Sequence, residues 1–215
     1  DGILEYDGSS WRLIKTPNNS VVRSLCVDMN GRIYVAASSD FGFLAPDSIG
    51  QMVFVSLLQH LDNKYKEFGD VWDVVSASHG VYFKTRDKIF RWNGININVF
   101  HSVNSFRLYK IDDNVFVRNN TKGLYKISGD SLILIPDGEK FSETGVYDML
   151  PFGYKSLITT NSDGLFLYDG KSILPFKTEA DEYLKQNMVY NACILDDGNI
   201  AFATRRGGVS IINKD

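Results

Sequence analysis

Gly164-Leu165-Phe166-Leu167-Tyr168-Asp169-Gly170 and Gly2-Ile3-Leu4-Glu5-Tyr6-Asp7-Gly8 are two copies of one pattern, a short apolar run that opens on glycine and closes on an Asp-Gly turn. Related runs recur at Gly42-Phe43-Leu44, Ile89-Phe90-Arg91-Trp92, Gly123-Leu124-Tyr125 and Gly208-Val209-Ser210-Ile211. Apolar runs of this length between turn residues read as strands, and recurrence at a regular period marks a repeat architecture. A second set of segments fixes the period. Val22-Arg23-Ser24-Leu25, Val71-Trp72-Asp73-Val74, Phe106-Arg107-Leu108-Tyr109, Val146-Tyr147-Asp148-Met149 and Val189-Tyr190-Asn191-Ala192 start 49, 35, 40 and 43 residues apart.

Each of these starts leads into a turn, at Asn30-Gly31, His79-Gly80, Asp113-Asn114, Gly153-Tyr154 and Asp197-Gly198, where residues tolerant of positive φ permit a hairpin. The second strands, such as Ile33-Tyr34-Val35-Ala36 and Leu157-Ile158-Thr159, are apolar on both faces, as expected of sheets covered on both sides. The glycine-led runs are third strands. Fourth, outer strands follow, as at Trp11-Arg12-Leu13-Ile14 and Leu132-Ile133-Leu134-Ile135. Four strands per repeat of this length predict an all-β protein of β-propeller blades. About five four-stranded blades are expected in a single domain over 1–215, with repeats starting near 22, 71, 106, 146 and 189. Class by class there are five first, five second, six third and five fourth strands, so the expectation is a portion of a larger, seven-bladed propeller. Two stretches, from Leu57 to Phe68 and from Thr178 to Lys185, read as short helices between a fourth strand and the next first strand, the latter capped by Thr178.

Among the 215 residues, 44% are hydrophobic and 13% aromatic, enough for a packed core. A net charge of −3 gives no overall attraction for nucleic acid or an anionic membrane, so neither is an expected partner. No apolar run approaches the roughly 20 residues of a membrane span, and the chain opens on Asp1-Gly2-Ile3 rather than a basic and apolar leader. Any targeting or anchoring signal is expected outside these residues. Cys26 and Cys193 lack metal or redox spacing and read as buried free thiols.

The glycine-led runs, together with the Asp28-Met29-Asn30-Gly31 and Leu195-Asp196-Asp197-Gly198 turns, resemble the repeats of the two-component-regulator propeller family over nearly the whole chain. That resemblance implies the sensor region of a bacterial regulator, periplasmic or extracellular, followed in the same polypeptide by a triple-tyrosine sandwich and an output module. An oligosaccharide ligand is implied too, since many relatives respond to one. One departure stands out: where the family's second strand ends Trp-Ile-Gly-Thr, the glycine position here holds Ala36, Lys84, Arg118, Thr159 and Ala203, while Thr85, Thr160 and Thr204 keep the threonine.

No catalytic, metal or cofactor site is expected. His60, His79 and His101 fall in different parts of the repeat, which disfavours a zinc site or a Ser-His-Asp triad. Asp7, Asp113, Asp169 and Asp197 sit in turns, where carboxylates bond nearby amides. Gly207-Gly208 is a strand corner, without the lysine and helix of a phosphate loop. A carboxylate pair for glycoside cleavage stays open. Binding has more residues behind it. The second position of each start is Arg23, Trp72, Arg107, Tyr147 or Tyr190, and the corners after the second strands add Arg86, Asn119, Asn120, Asn161, Arg205 and Arg206. In a propeller these positions share one face around the channel. Aromatic rings stack on sugars, and Arg and Asn donate to hydroxyls and carboxylates, so the set suits a carbohydrate, an acidic one included. Such residues also serve merely to plug the channel. The alternatives are a protein-interaction or dimerisation scaffold, a homodimer among its forms, and thirdly a polysaccharide lyase or glycosidase.

Overall fold

A computed structural model describes residues 1–101 and 103–213. The apolar runs form strands: β1 (Gly2–Tyr6) and β2 (Trp11–Lys15) make a hairpin. Next come β3 (Val22–Val27), β4 (Ile33–Ala37), β5 (Asp40–Pro46) and β6 (Met52–Ser56) in one sheet, then β7 (Asp73–Ala77), β8 (Gly80–Lys84), β9 (Ile89–Trp92) and β10 (Ile97–Phe100) in another. β11 (Leu108–Ile111), β12 (Asn114–Asn119), β13 (Gly123–Ser128) and β14 (Ser131–Leu134) follow, then β15 (Val146–Phe152), β16 (Lys155–Thr160), β17 (Leu165–Tyr168) and β18 (Ile173–Phe176). β19 (Val189–Ile194), β20 (Ile200–Thr204) and β21 (Val209–Ile212) form a three-stranded sheet. In every sheet the strands lie in sequence order, the meander of a propeller blade, and four of the sheets have all four strands. The protein is thus a nearly all-β chain of β-propeller repeats, and its strands fall into the four classes expected from the repeats. They pack in two compact units, Asp1–Leu108 and Tyr109–Asp215.

Two polar devices recur. In the turns from third to fourth strand, Asp7 accepts from the Ser9 and Ser10 amides (both 2.8 Å), and Asp169 from the Lys171 and Ser172 amides (2.9 and 2.8 Å). In the corners from second to third strand, the threonine hydroxyl both accepts and donates. Thr160 takes the Asp163 amide (3.0 Å) and gives to the Gly164 carbonyl (2.7 Å); Thr204 does the same with Gly207 and Gly208 (3.0 and 2.9 Å), and Thr85 serves both groups of Lys88 (3.0 and 3.2 Å). Gly123 is a glycine by necessity: its φ is +112°, and a Cβ there would lie 2.3 Å from the Gly138 carbonyl oxygen.

Three expectations need correction. The left-handed residue of the third blade's first hairpin is Asp112 (φ 52°), one place before the expected Asp113-Asn114, because the strand already begins at Asn114. Residues Leu58–His60 and Asn63–Tyr65 form single 3-10 turns, and α1 (Asp181–Asn187) lacks a Thr178 cap. Thr178 instead donates its amide and hydroxyl to the Asp181 carboxylate (2.9 and 2.8 Å). Neither cysteine is in a disulfide among the described residues, but Cys26 is half-buried and Cys193 exposed, since β19 turns that side chain outward.

Within each unit, apolar faces of neighbouring sheets close a core. In the first unit Phe41, Phe83, Phe90, Val71 and Val74 join the β3–β6 and β7–β10 sheets. In the second, Phe116, Leu124, Phe141, Met149 and Ile158 form one cluster, and Leu157, Leu165, Leu184, Val189 and Phe202 another. A carboxylate at the third position of a blade start adds a polar tie. Asp73 accepts from the amides of Val74 and Leu108 (both 2.9 Å) and the Ser24 hydroxyl (3.2 Å); Asp148 accepts from the amides of Met149 (2.9 Å) and Ala192 (3.4 Å). Burial raises the Asp73 pKa above the usual carboxylate value, opposed by those hydrogen bonds. Asp73→Ala strands several donors at once and is expected to cost about 3 kcal/mol in urea unfolding, whereas a loss near zero would remove Asp73 from the tie.

Candidate functional site

The second residue of each blade start stands outside the regular ladder. Pairing of β3 with β4, β15 with β16 and β19 with β20 shifts register between Val22 and Ser24, Val146 and Asp148, and Val189 and Asn191. Arg23, Tyr147 and Tyr190 are therefore bulge residues, and a bulge re-aims a side chain away from the alternation of its strand. Trp72 and Arg107 reach a similar position by preceding β7 and β11, whose first residues are Asp73 and Leu108. The Trp72 amide donates to the Lys84 carbonyl at 2.7 Å.

In the first unit, the Arg23 guanidinium lies 4.8 Å from the Trp72 ring centroid and pairs with Asp70 at 2.9 Å. Asp70 also accepts the Ser38 hydroxyl. Phe106 packs edge-on against Trp72 at 5.4 Å, both partly open to solvent (45% and 38%). Neither Phe106 nor Asp70 is among the candidate residues that the sequence singled out. Phe106 occupies an apolar first position that is buried at Val71, Val146 and Val189 but open to solvent here.

In the second unit, Arg205 leaves the β20 corner and meets both tyrosines. Its Nη2 donates to the Tyr147 hydroxyl at 2.8 Å, and its guanidinium carbon is 5.5 Å from each ring centroid of Tyr147 and Tyr190. The two rings are 6.0 Å apart and tilted. Among the described residues Arg205 has no carboxylate partner, unlike Arg23. Asn161 adjoins this group: its amide donates to the Gly145 carbonyl and its carbonyl accepts from Val189 (both 3.0 Å), while its Oδ1 is buried without a hydrogen bond from the described residues.

The other candidate residues make different contacts. Arg86 and Arg206 are exposed, and the structure engages their main chains, with the Arg86 carbonyl accepting from Ser105 (3.1 Å) and the Arg206 amide donating to Asn187 (3.3 Å). Arg107 is half-buried beside Asp73. Asn119 is buried at 7% exposure and so is not part of an open surface. Asn120 accepts from Arg118, whose Nε and Nη2 also bond the Phe141 and Ser142 carbonyls (2.6 and 3.0 Å).

The histidines pack on separate aromatic rings, His60 on Trp92 (4.8 Å), His79 on Tyr82 (5.5 Å) and His101 on Tyr65 (5.3 Å). No group of three His, Cys, Asp or Glu side chains among the described residues is placed to hold a metal ion. No helix among them is long and apolar enough to cross a membrane.

No family model and no curated protein matches the chain. Solved structures do match. The extracellular domain of the putative hybrid two component system BT3049 from B. thetaiotaomicron aligns over 98% of this chain and 30% of its own, with a TM-score of 0.65 and 15% identity. A selenomethionine-substituted virginiamycin B lyase from Staphylococcus aureus aligns over 89% of this chain and 69% of its own (TM-score 0.58, 13% identity). BBS1N, solved in complex with ARL6DN, aligns over 94% and 67% (TM-score 0.61, 11% identity). At such identities the likeness is one of fold, the β-propeller. It spans the extracellular domain of a two component system, a lyase and a protein solved in complex with another, so function has to be argued from the side chains.

Proposed function

We propose that this chain is the ligand-sensing propeller of a bacterial signal-transduction regulator, placed outside the cytoplasm, and that its ligand is an oligosaccharide bearing acidic groups. The observation that carries this reading is Arg205 on Tyr147 and Tyr190: a guanidinium without a carboxylate partner among the described residues, held against two aromatic rings by residues displaced from their strands. Rings of this kind stack on sugars, while the free guanidinium edge donates to a carboxylate or sulfate. Arg23 on Trp72 repeats the motif in the first unit, with Asp70 already on the cation, which suits neutral hydroxyls better than an anion. The fold likeness to a two-component extracellular domain supports the same reading. Downstream triple-tyrosine and output modules would then carry the signal.

The test is a calorimetric screen of neutral and uronate-containing oligosaccharides. A uronate oligomer is expected to bind, and Arg205→Ala to weaken it at least about tenfold with the thermal midpoint unchanged. Equal affinity in the folded variant would remove Arg205 from the site, and failure of every sugar would overturn the carbohydrate reading.

A second reading, a protein-interaction propeller, is favoured by the β1–β2 hairpin. Leu4 pairs with Leu13 and Tyr6 with Trp11 on one face, exposed at 60, 50, 53 and 65%, while Ile3 and Ile14 on the other face pack against Val35 and Leu44. Four large apolar side chains on one side of a hairpin are a surface that a partner protein covers.

A further inference from the structure

The strand-start group of the second unit lies at one end of β15 and β19. At the other end, where these strands turn into β16 and β20, a pocket of about 400 Å³ opens between the same two sheets. Phe152, Leu167, Ile194 and Ile200 form its apolar walls, and Tyr154 and Lys155 stand at the β15–β16 turn. Phe152 is braced by Phe176 at 5.3 Å. Tyr154 and Ile194 are exposed (88% and 41%), apolar surface that water wets until something covers it.

Lys155 is the one charged residue of the lining. Its Nζ is 5.3 Å from the Tyr154 ring centroid, and it has no ion-pair partner among the described residues. In the neighbouring β19–β20 turn the Asp197 carboxylate is spent on Asn199, one oxygen on its amide (2.9 Å) and the other on its side-chain nitrogen (2.8 Å). An apolar pocket of small-molecule size with a single unpaired cation at its mouth matches a ligand with an apolar body and one anionic head. We propose that this pocket binds a medium-chain carboxylate of the fatty-acid type. The site is separate from the sugar-binding surface proposed above, and each stands or falls without the other.

Calorimetric titration of the 215-residue chain with hexanoate, octanoate and decanoate at pH 7.5 tests it. Affinity is expected to rise about fourfold per added methylene as the pocket fills. Ile194→Asp, which puts a like charge in the pocket, is expected to weaken decanoate more than tenfold, and Ile194→Trp, which fills the space without charge, to do the same. Lys155→Met is expected to weaken decanoate and leave 1-decanol unaffected, while Arg205→Ala leaves decanoate binding intact. Absence of decanoate binding, affinity independent of chain length, or native affinity in both Ile194 variants would overturn the assignment. So would sedimentation showing a dimer that Ile194→Asp dissolves and decanoate does not, because the pocket would then be covered by a second copy of the chain.

Discussion

Phe41→Ala is expected to lower the stability of the first unit by about 4 kcal/mol in chemical denaturation. Phe41 lies on β5, fully buried, with ring centroids of Phe83, Phe90 and Phe68 at 4.6, 5.1 and 5.8 Å. These rings come from β5, β8, β9 and the connection between β6 and β7, so one side chain seals two neighbouring sheets. Truncation removes its transfer energy and leaves a cavity that stacked rings on well-paired strands cannot collapse to fill. Phe41→Leu keeps most of the volume and is expected to lose only about 1.5 kcal/mol. The same two sheets carry Arg23 and Trp72, so their contact should loosen as well, seen as a shift in the tryptophan emission of the folded variant. A loss below about 1.5 kcal/mol for the alanine variant would mean that the sheets are held together elsewhere.

The strands were legible because the blades share, in whole or in part, one chemical order: apolar start, positive-φ turn, two-faced apolar strand, a corner that is threonine in three blades, a third strand mostly led by glycine, and a turn that closes on glycine. Each of those signals is local. Val22, Val146 and Val189 open their strands as the pattern predicts, but β7 and β11 begin two residues after Val71 and Phe106. Val71 is instead fully buried, and its amide bonds Ala37 in the preceding sheet at 3.1 Å. The bulges at Arg23, Tyr147 and Tyr190 were not legible either, since a bulge is a property of two paired strands and leaves no mark on one of them. The second start position could be singled out as variable and polar or aromatic. What holds it out of the ladder could not be read. Which corner residues reach those rings was equally hidden: Arg205 does so, while Asn119, from the corresponding corner, turns inward.

The non-glycine residues at the end of the second strands show what such a departure costs and how it is met. Ala36 and Thr159 are fully buried, and Arg118 spends its guanidinium on main-chain carbonyls. Lys84 goes furthest. It is fully buried, and its ammonium donates to the carbonyls of Thr85, Arg86 (3.2 Å) and Val103 (2.8 Å), tying the corner to the chain that follows β10. Its own carbonyl accepts from Trp72, so it also positions that ring. Burial pushes the Lys84 pKa down to about 7, against the attraction of Asp87 and Asp73. Between pH 7 and the ordinary lysine value the unfolded chain carries a proton that the folded chain has lost, so stability rises with pH across that window. Measured as the difference between the native chain and Lys84→Met, which cannot titrate, the gain from pH 6.5 to pH 10 is expected to be on the order of 4 kcal/mol. Most of it should develop above pH 7. Parallel stability profiles for the two proteins would show that three carbonyl partners keep Lys84 charged throughout, and would recast it as a permanent cationic clamp on the corner beside Trp72.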